Sequence, residues 1–197
     1  MENNELKNSQ ILNAKLKNET NNFIDMETLI NNLKVEDAKN LSLSKMLKSA
    51  YIVLIVIYTA LMLIKRDFDL LRIISDLSFI VSFILFAAIF VYNEKEYKKI
   101  DYSLPLVQML KKGADRYKLS IPRILIVFLP VLIMDIGLTL NFYDEPFGGT
   151  SFNRVIIVQA IYLPVMFLSG YIGFKVWKKR QKPLRDEALK LLKELDE

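Results

Sequence analysis

The stretch at 130–140, PVLIMDIGLTL, sets one carboxylate, Asp135, among ten uncharged residues. A second carboxylate, Asp76, lies near the start of another apolar run, IISDLSFIVSFILFAAIFVY. An ionised carboxylate in an apolar run carries a desolvation cost. It is accepted where the group finds a polar partner, binds a cation or exchanges a proton. Two more polar side chains belong to the same set, Arg154 and Gln159, at the start of a later apolar run. Asp135 is five residues from the end of its run, roughly 7 Å along a helix. Asp76 is three residues into a run of opposite direction, so Asp76, Asp135, Arg154 and Gln159 are expected to share one layer. Arg72, four residues before Asp76, can pair with it on the same helix. Asp135 has only a hydroxyl within reach on its own helix, which points to Arg154 or Gln159 as its partner. Three roles fit: a clamp that fixes helix register, a ligand, ion or proton site, or a site for pairing with another membrane protein. A proteolytic dyad is not supported, because neither carboxylate has a local motif around it.

The rest of the reactive inventory is thin. The chain has no cysteine and no histidine. That removes disulfides, thiolate nucleophiles, histidine bases, haem ligation and the usual zinc sites. No enzymatic chemistry, cofactor or metal is expected.

The elements that would hold these groups are apolar helices. The chain is 52% hydrophobic yet 25% charged, and the two classes are segregated along it, as in membrane proteins. A helical span needs roughly 20 mainly apolar residues. Residues 49–64, 73–92, 121–140 and 155–176 meet or approach that length, the short first one having Lys48 and Lys65 at its ends to snorkel. The apolarity is continuous rather than alternating, which excludes a membrane β-barrel. Residues 1–48 are polar and contain no charged segment followed by an apolar one of the secretory kind, so the N-terminus is expected on the side of synthesis. Lys and Arg number 23 in residues 1–48, 93–120 and 175–197 together with Arg123, against four in residues 65–72 and 141–154. This bias predicts a multi-pass membrane protein with both termini and the 93–120 loop cytoplasmic. The net charge of +5 then orients the chain and meets anionic headgroups. Nucleic-acid binding is not expected, since the basic residues are scattered and lack an aromatic stacking platform.

Three polar segments remain. In the arm 1–48, Met26, Leu29, Ile30 and Leu33 follow helical spacing, with Asp25 as an N-cap. In 93–120, Glu94 and Lys98 predict that the second span continues as helix beyond the membrane. Ser103 and Pro105 then start, and Gly113 ends, a short interfacial helix with Leu106, Val107 and Leu110 on its apolar face. The tail 178–197 carries Pro183 in a first helical turn and Leu184, Ala188, Leu191, Leu192 and Leu195 on one face. Arm and tail faces must be covered by one another, by another subunit or by a partner. Met26, Leu29, Ile30, Leu33, Leu184, Ala188, Leu191 and Leu195 are the candidate partner-binding face. Among the apolar runs, Ser75, Ser78 and Ser82 in the second, and Gly170 and Gly173 in the fourth, are expected to permit close helix approach. Pro130 and Pro164 each remove a backbone hydrogen bond mid-run.

The ELKN opening at residues 5–8, the amphipathic arm, four spans and basic tail together resemble small uncharacterised four-helix bacterial membrane proteins. Some of these are presumed anti-sigma-like. The resemblance implies a regulatory protein of the bacterial inner membrane. The expected whole is an all-α integral membrane bundle of four transmembrane helices with amphipathic cytoplasmic helices. Its expected role is a non-enzymatic signalling or regulatory adaptor that binds a cytoplasmic protein through arm and tail. The alternatives are a homo-oligomeric pore or effector of the phage-defence kind, and a small transporter or immunity protein.

Overall fold

The computed structural model describes residues 2–65, 69–144 and 150–196, with side chains for 26–64, 69–143 and 150–195. The ELKN opening and residues 145–149 of the loop after the third span lie outside the described side chains. The chain is all-α: α1 (Glu2–Lys65), α2 (Leu70–Lys98), α3 (Leu106–Arg116), α4 (Ile121–Asp144), α5 (Ser151–Val176) and α6 (Lys182–Asp196), with a π-helical turn at Trp177–Gln181. Four of the helices are long and apolar enough to cross a membrane, and the protein is multi-pass on that ground.

One expectation fails at once. Asp25 does not cap a helix, because α1 runs through it without a break. Residues 1–65 contain neither glycine nor proline, so no residue of the arm lacks its backbone donor. Continuous propagation is then cheaper than a second nucleation. At the other boundaries the local chemistry is used. Thr150 caps α5 by accepting from the Asn153 backbone N–H at 3.4 Å. Asp101 accepts from both the backbone N–H (2.8 Å) and the hydroxyl (2.7 Å) of Ser103. These bonds hold the Asp101 carboxyl below its usual range and turn the chain into Pro105, the N-cap of α3. Gly113 does not end α3; it lies inside the helix and is buried. Leu33 packs over it, its methyls 3.6 and 3.7 Å from where a Cβ would stand, which is ordinary contact.

The chain divides into two compact units. The first, called here the head, comprises residues 1–37, 101–118 and 180–197. Its core is Leu29 and Leu33 of α1, Met109, Leu110 and Ala114 of α3, Tyr117, and Leu184 and Ala188 of α6. Ile30, Leu106, Leu191 and Leu192 pack around it. The arm and tail faces therefore cover each other, with α3 as the third wall. This corrects the partner-binding face: Leu29, Leu33, Leu184 and Ala188 are buried within the chain, Met26 is half-buried and Leu195 stands exposed. It also corrects the interfacial reading of α3, whose buried side is Met109, Leu110, Gly113 and Ala114 while Val107 is exposed. The physical reason is shared. Two short amphipathic helices and the amphipathic part of α1 cannot each bury an apolar stripe alone, and packing together removes all three stripes from water.

The second unit comprises residues 38–100 and 119–179. Its tightest seam joins α2 to α4. The Ser75 hydroxyl donates to the Gly137 carbonyl at 2.7 Å, and the Ser82 hydroxyl to the Pro130 carbonyl at 2.8 Å. Both serines are fully buried. In lipid there is no hydrophobic gain from pairing helices, so close approach of small residues and interhelical hydrogen bonds carry the association. Ser78 instead donates to Ile74 on its own helix. Gly170 and Gly173 of α5 do not form a second such seam: a Cβ at either would meet nothing within 4 Å. The glycine that does permit close approach is Gly137, which the sequence pattern did not single out. On the other side of α2, Tyr51 stacks on Phe86 (ring centroids 4.9 Å apart) and Phe90 (5.7 Å), and Tyr58 meets Phe79 and Phe83. Offset and edge-on contacts of this kind suit aromatic quadrupoles. Among the described residues the apolar stretch of α1 has no buried side chain and that of α5 only Tyr162, whereas α2 buries Ser75, Phe79, Ser82, Phe83 and Ala87. The inner position of α2 follows from this difference.

Candidate functional site

Three polar assemblies stand out, and each is fixed by where its helix register puts a charged group. The first is the Asp135 layer. Asp135 Oδ1 accepts from Gln159 Nε2 at 2.6 Å, and the same nitrogen donates to Thr139 Oγ1 at 2.9 Å. Thr139 is one turn beyond Asp135 on α4, so a single amide from α5 bridges two successive turns. One turn further along α5, the Tyr162 hydroxyl donates to the Val131 carbonyl at 2.9 Å. The pair is a cross-helix polar tie.

Of the four residues expected in one layer, Asp135 takes Gln159 as its partner and Arg154 takes others. Arg154 is held by the end of α4: its guanidinium donates to the Phe142 and Tyr143 carbonyls, both at 3.1 Å, and to the Ser151 hydroxyl at 3.2 Å. The last carbonyls of a helix have no intrahelical partner and form its negative end, so a guanidinium is drawn there. Asp76 follows Ser75, whose hydroxyl bonds Gly137 two residues from Asp135, and it is within electrostatic reach of Tyr58 on α1. The structure thus joins Asp135 to Gln159 and ties Arg154 to the end of α4. Among the described residues, no group of three or more potential acidic ligands is gathered for a metal ion.

The tie gives a measurable expectation. A double-mutant cycle of Asp135→Ala and Gln159→Ala should show a coupling of about 0.6–1.7 kcal/mol, the range for hydrogen bonds between membrane helices. Unfolding of the purified protein in bicelles measures it, and additive single effects would count against the tie.

The second assembly is in the head, and sequence reasoning passed it by. Asp37, only 4% exposed, accepts from the hydroxyl of Tyr117 at 2.6 Å and also from the hydroxyl of Tyr102 and the guanidinium of Arg116. Burial alone would lower the Arg116 guanidinium, but the Asp37 carboxylate outweighs it and holds it above its usual value. Burial and then Asp37 push the Tyr102 phenol above the ordinary tyrosine range. Lys34 lies 5.4 Å over the Tyr102 ring. The neighbouring Glu36 accepts from Arg180 Nη2 at 2.9 Å. Its other oxygen is buried with no partner among the described residues, so this second tie is the less complete. One signal was readable. Asp37 is four residues after Leu33 and seven after Ile30, so it continues the apolar stripe of α1 as a charge on the buried face.

The third assembly is Glu94, which takes Lys48 Nζ of α1 and Lys98 Nζ of its own helix, both at 2.6 Å. It lies just beyond the apolar stretch 73–92. Its hydrogen bonds to Lys48 and Lys98 hold the carboxyl at about 2, down from 4.5. The folded state thus binds the proton more weakly than the unfolded one. The contribution to stability is complete above about pH 4.5 and is lost as the pH falls toward 2. The difference in thermal midpoint between wild type and Glu94→Gln should therefore be largest near neutrality and close as the buffer is acidified through this window.

Comparison with protein-family models, curated proteins and solved structures gives no match. Function is therefore argued from these three assemblies. All three bring oppositely charged or complementary polar groups together across helices. None presents an activated nucleophile, a general base poised beside a cleft, or a phosphate cradle.

Proposed function

We propose that the protein is a non-enzymatic regulatory adaptor of the bacterial cytoplasmic membrane, with both termini and the head inside the cell. The head is the part that holds a cytoplasmic partner protein. The observation that carries this reading is the head itself. Segments from three separate parts of the sequence close around a common core and are locked by Glu36 and Asp37. A pore or carrier has no need of such a folded body. The partner does not use the arm and tail stripes, which are spent on the core. It meets the outer surface, where Val35, Val107, Leu189 and Leu195 stand exposed. An anti-sigma-like role, which the architectural resemblance implies, is one form of this reading. The strong inequality of Lys and Arg between the two sets of connections supports the orientation.

A second reading is a homo-oligomeric membrane pore. It is favoured by Gly170 and Gly173, which leave open space on α5, as small residues do where another helix can approach. One experiment separates the two. Crosslinking in intact cells, followed by detergent extraction, mass measurement and peptide mapping, should join the head lysines Lys34, Lys111 and Lys190 to a different polypeptide. Crosslinks confined to further copies of this chain, in a particle of oligomeric mass that leaks dye from vesicles, would replace the adaptor reading with the pore. A carrier would instead show uptake that Asp135→Asn abolishes while the fold persists.

A further inference from the structure

We propose that the C-terminal end of α5 and the π-helical turn after it form a binding surface for anionic phospholipid headgroups. The register of the second unit sets the scene. Ser75–Gly137, Ser82–Pro130 and Asp135–Gln159 make α2 antiparallel to α4 and α4 antiparallel to α5. The start of α4 and the end of α5 therefore lie at the same end of the unit as the Lys48–Glu94 pair. Lys45, Lys48, Lys95, Lys98, Lys99, Arg123, Lys175, Lys178 and Lys179 all fall at this end. The carboxylates there are already engaged, Glu94 by Lys48 and Lys98 and Glu96 by Lys99. That leaves the α5 end with a surplus of positive charge.

Two features make the α5 end more than a share of general basicity. Lys175, Lys178 and Lys179 are all exposed and lie within about one turn of chain where α5 passes into the π-helical turn. Beneath them is an aromatic layer. Tyr171 and Phe174 are exposed, Lys175 Nζ lies 5.7 Å over the Tyr171 ring, and the Phe174 and Trp177 rings are 5.7 Å apart. Aromatic rings of this kind settle at the level of the headgroups. Lysines one turn beyond them then reach the phosphate layer, and a flexible ammonium suits a point contact with a phosphodiester. A zwitterionic headgroup offers the same phosphate with a cation attached, so the surface favours phosphatidylglycerol-like lipids. The proposal does not depend on whether the head binds a protein.

The test reconstitutes the full-length protein in vesicles of equal phosphatidylcholine and phosphatidylglycerol, extracts it with mild detergent, and measures the lipid that stays with it. Wild type should be enriched in phosphatidylglycerol. The triple change Lys175→Gln, Lys178→Gln, Lys179→Gln should lower that enrichment by at least about fivefold, the effect of one lysine near an anionic surface. The triple change to Arg should keep it. Lys111→Gln with Lys112→Gln in the head should also keep it. Equal retention of both lipids by wild type would overturn the proposal. So would undiminished enrichment in the Gln triple, or an equal loss in the Lys111/Lys112 control, which would make net charge the cause. Excess inorganic phosphate is included as a competitor. If it strips the anionic lipid from wild type, the surface is a free-anion site and the proposal falls. These side chains are exposed, and unchanged thermal unfolding of the Gln triple shows that the fold is intact.

Discussion

Asp37→Ala is expected to destabilise the head by about 3–5 kcal/mol, the cost of removing one partner from a buried ion pair. The argument runs through what is left behind. Arg116 keeps its guanidinium in a mostly buried position, and the Tyr102 and Tyr117 hydroxyls lose their shared acceptor. Each orphaned buried donor adds its own desolvation cost. Asp37→Asn keeps an acceptor oxygen and the shape but not the charge, so it should fall between wild type and Ala. Amide hydrogen exchange is the suitable measurement because it resolves α3 and α6 from the apolar helices. Exchange should accelerate across 106–116 and 182–196 together, since all three head helices share one core. Protection unchanged in α6 would show that Asp37 holds α3 alone.

The second large effect is expected at Gly137. A Cβ there would lie 3.1 Å from the Ser75 carbonyl oxygen and 3.2 Å from Ser78 Cβ. The first of these is backbone and cannot turn aside, so α2 and α4 must separate. Gly137→Ala should cost about 1–3 kcal/mol by overpacking. Gly137→Leu should cost more, because the separation also breaks the Ser75–Gly137 and Ser82–Pro130 hydrogen bonds, each about 0.6 kcal/mol in membrane proteins. The expected readout is a Leu variant that inserts but is rapidly degraded, and an Ala variant with a lowered unfolding midpoint in bicelles. As a contrast, Gly170→Ala and Gly173→Ala should leave the midpoint of the monomer unchanged, since neither glycine has a neighbour. A change at Gly170 as large as that at Gly137 would point to α5 packing on another copy.

The four apolar helices were legible because lipid imposes a length and a continuity that polar sequence does not imitate. The amphipathic stripes of arm and tail were equally plain. What a stripe cannot state is its partner, since Leu29 and Leu184 look the same whether they meet each other or a second protein. The answer lies in contacts between residues more than 140 positions apart, such as Arg180 with Glu36. The same limit explains the glycines. Gly170 and Gly173 show a small-residue spacing and make no contact, while Gly137 stands alone and is the one pressed against a backbone. Spacing reports which face a residue is on. It does not report which faces meet. In the Asp135 layer, residue types and depth pointed to Gln159 as a possible partner. Arg154 was drawn elsewhere by the unpaired carbonyls at the end of α4, a feature that exists only once the helix has formed.

The serine–glycine–proline seam between α2 and α4 has a bearing on how kin of this chain can be found. On the lipid side, leucine, isoleucine, valine and phenylalanine are nearly interchangeable, so substitutions there accumulate with little penalty and erode overall likeness. Ser75, Ser82 and Gly137 admit few replacements, because each sets how near two main chains can come, whereas Pro130 accepts through a main-chain carbonyl that any residue supplies. A distant cousin would thus keep two small hydroxyls seven positions apart in one span and a glycine opposite the first of them in the next, and little else. That sparse cipher, rather than percentage agreement, is the trace to look for in other genomes.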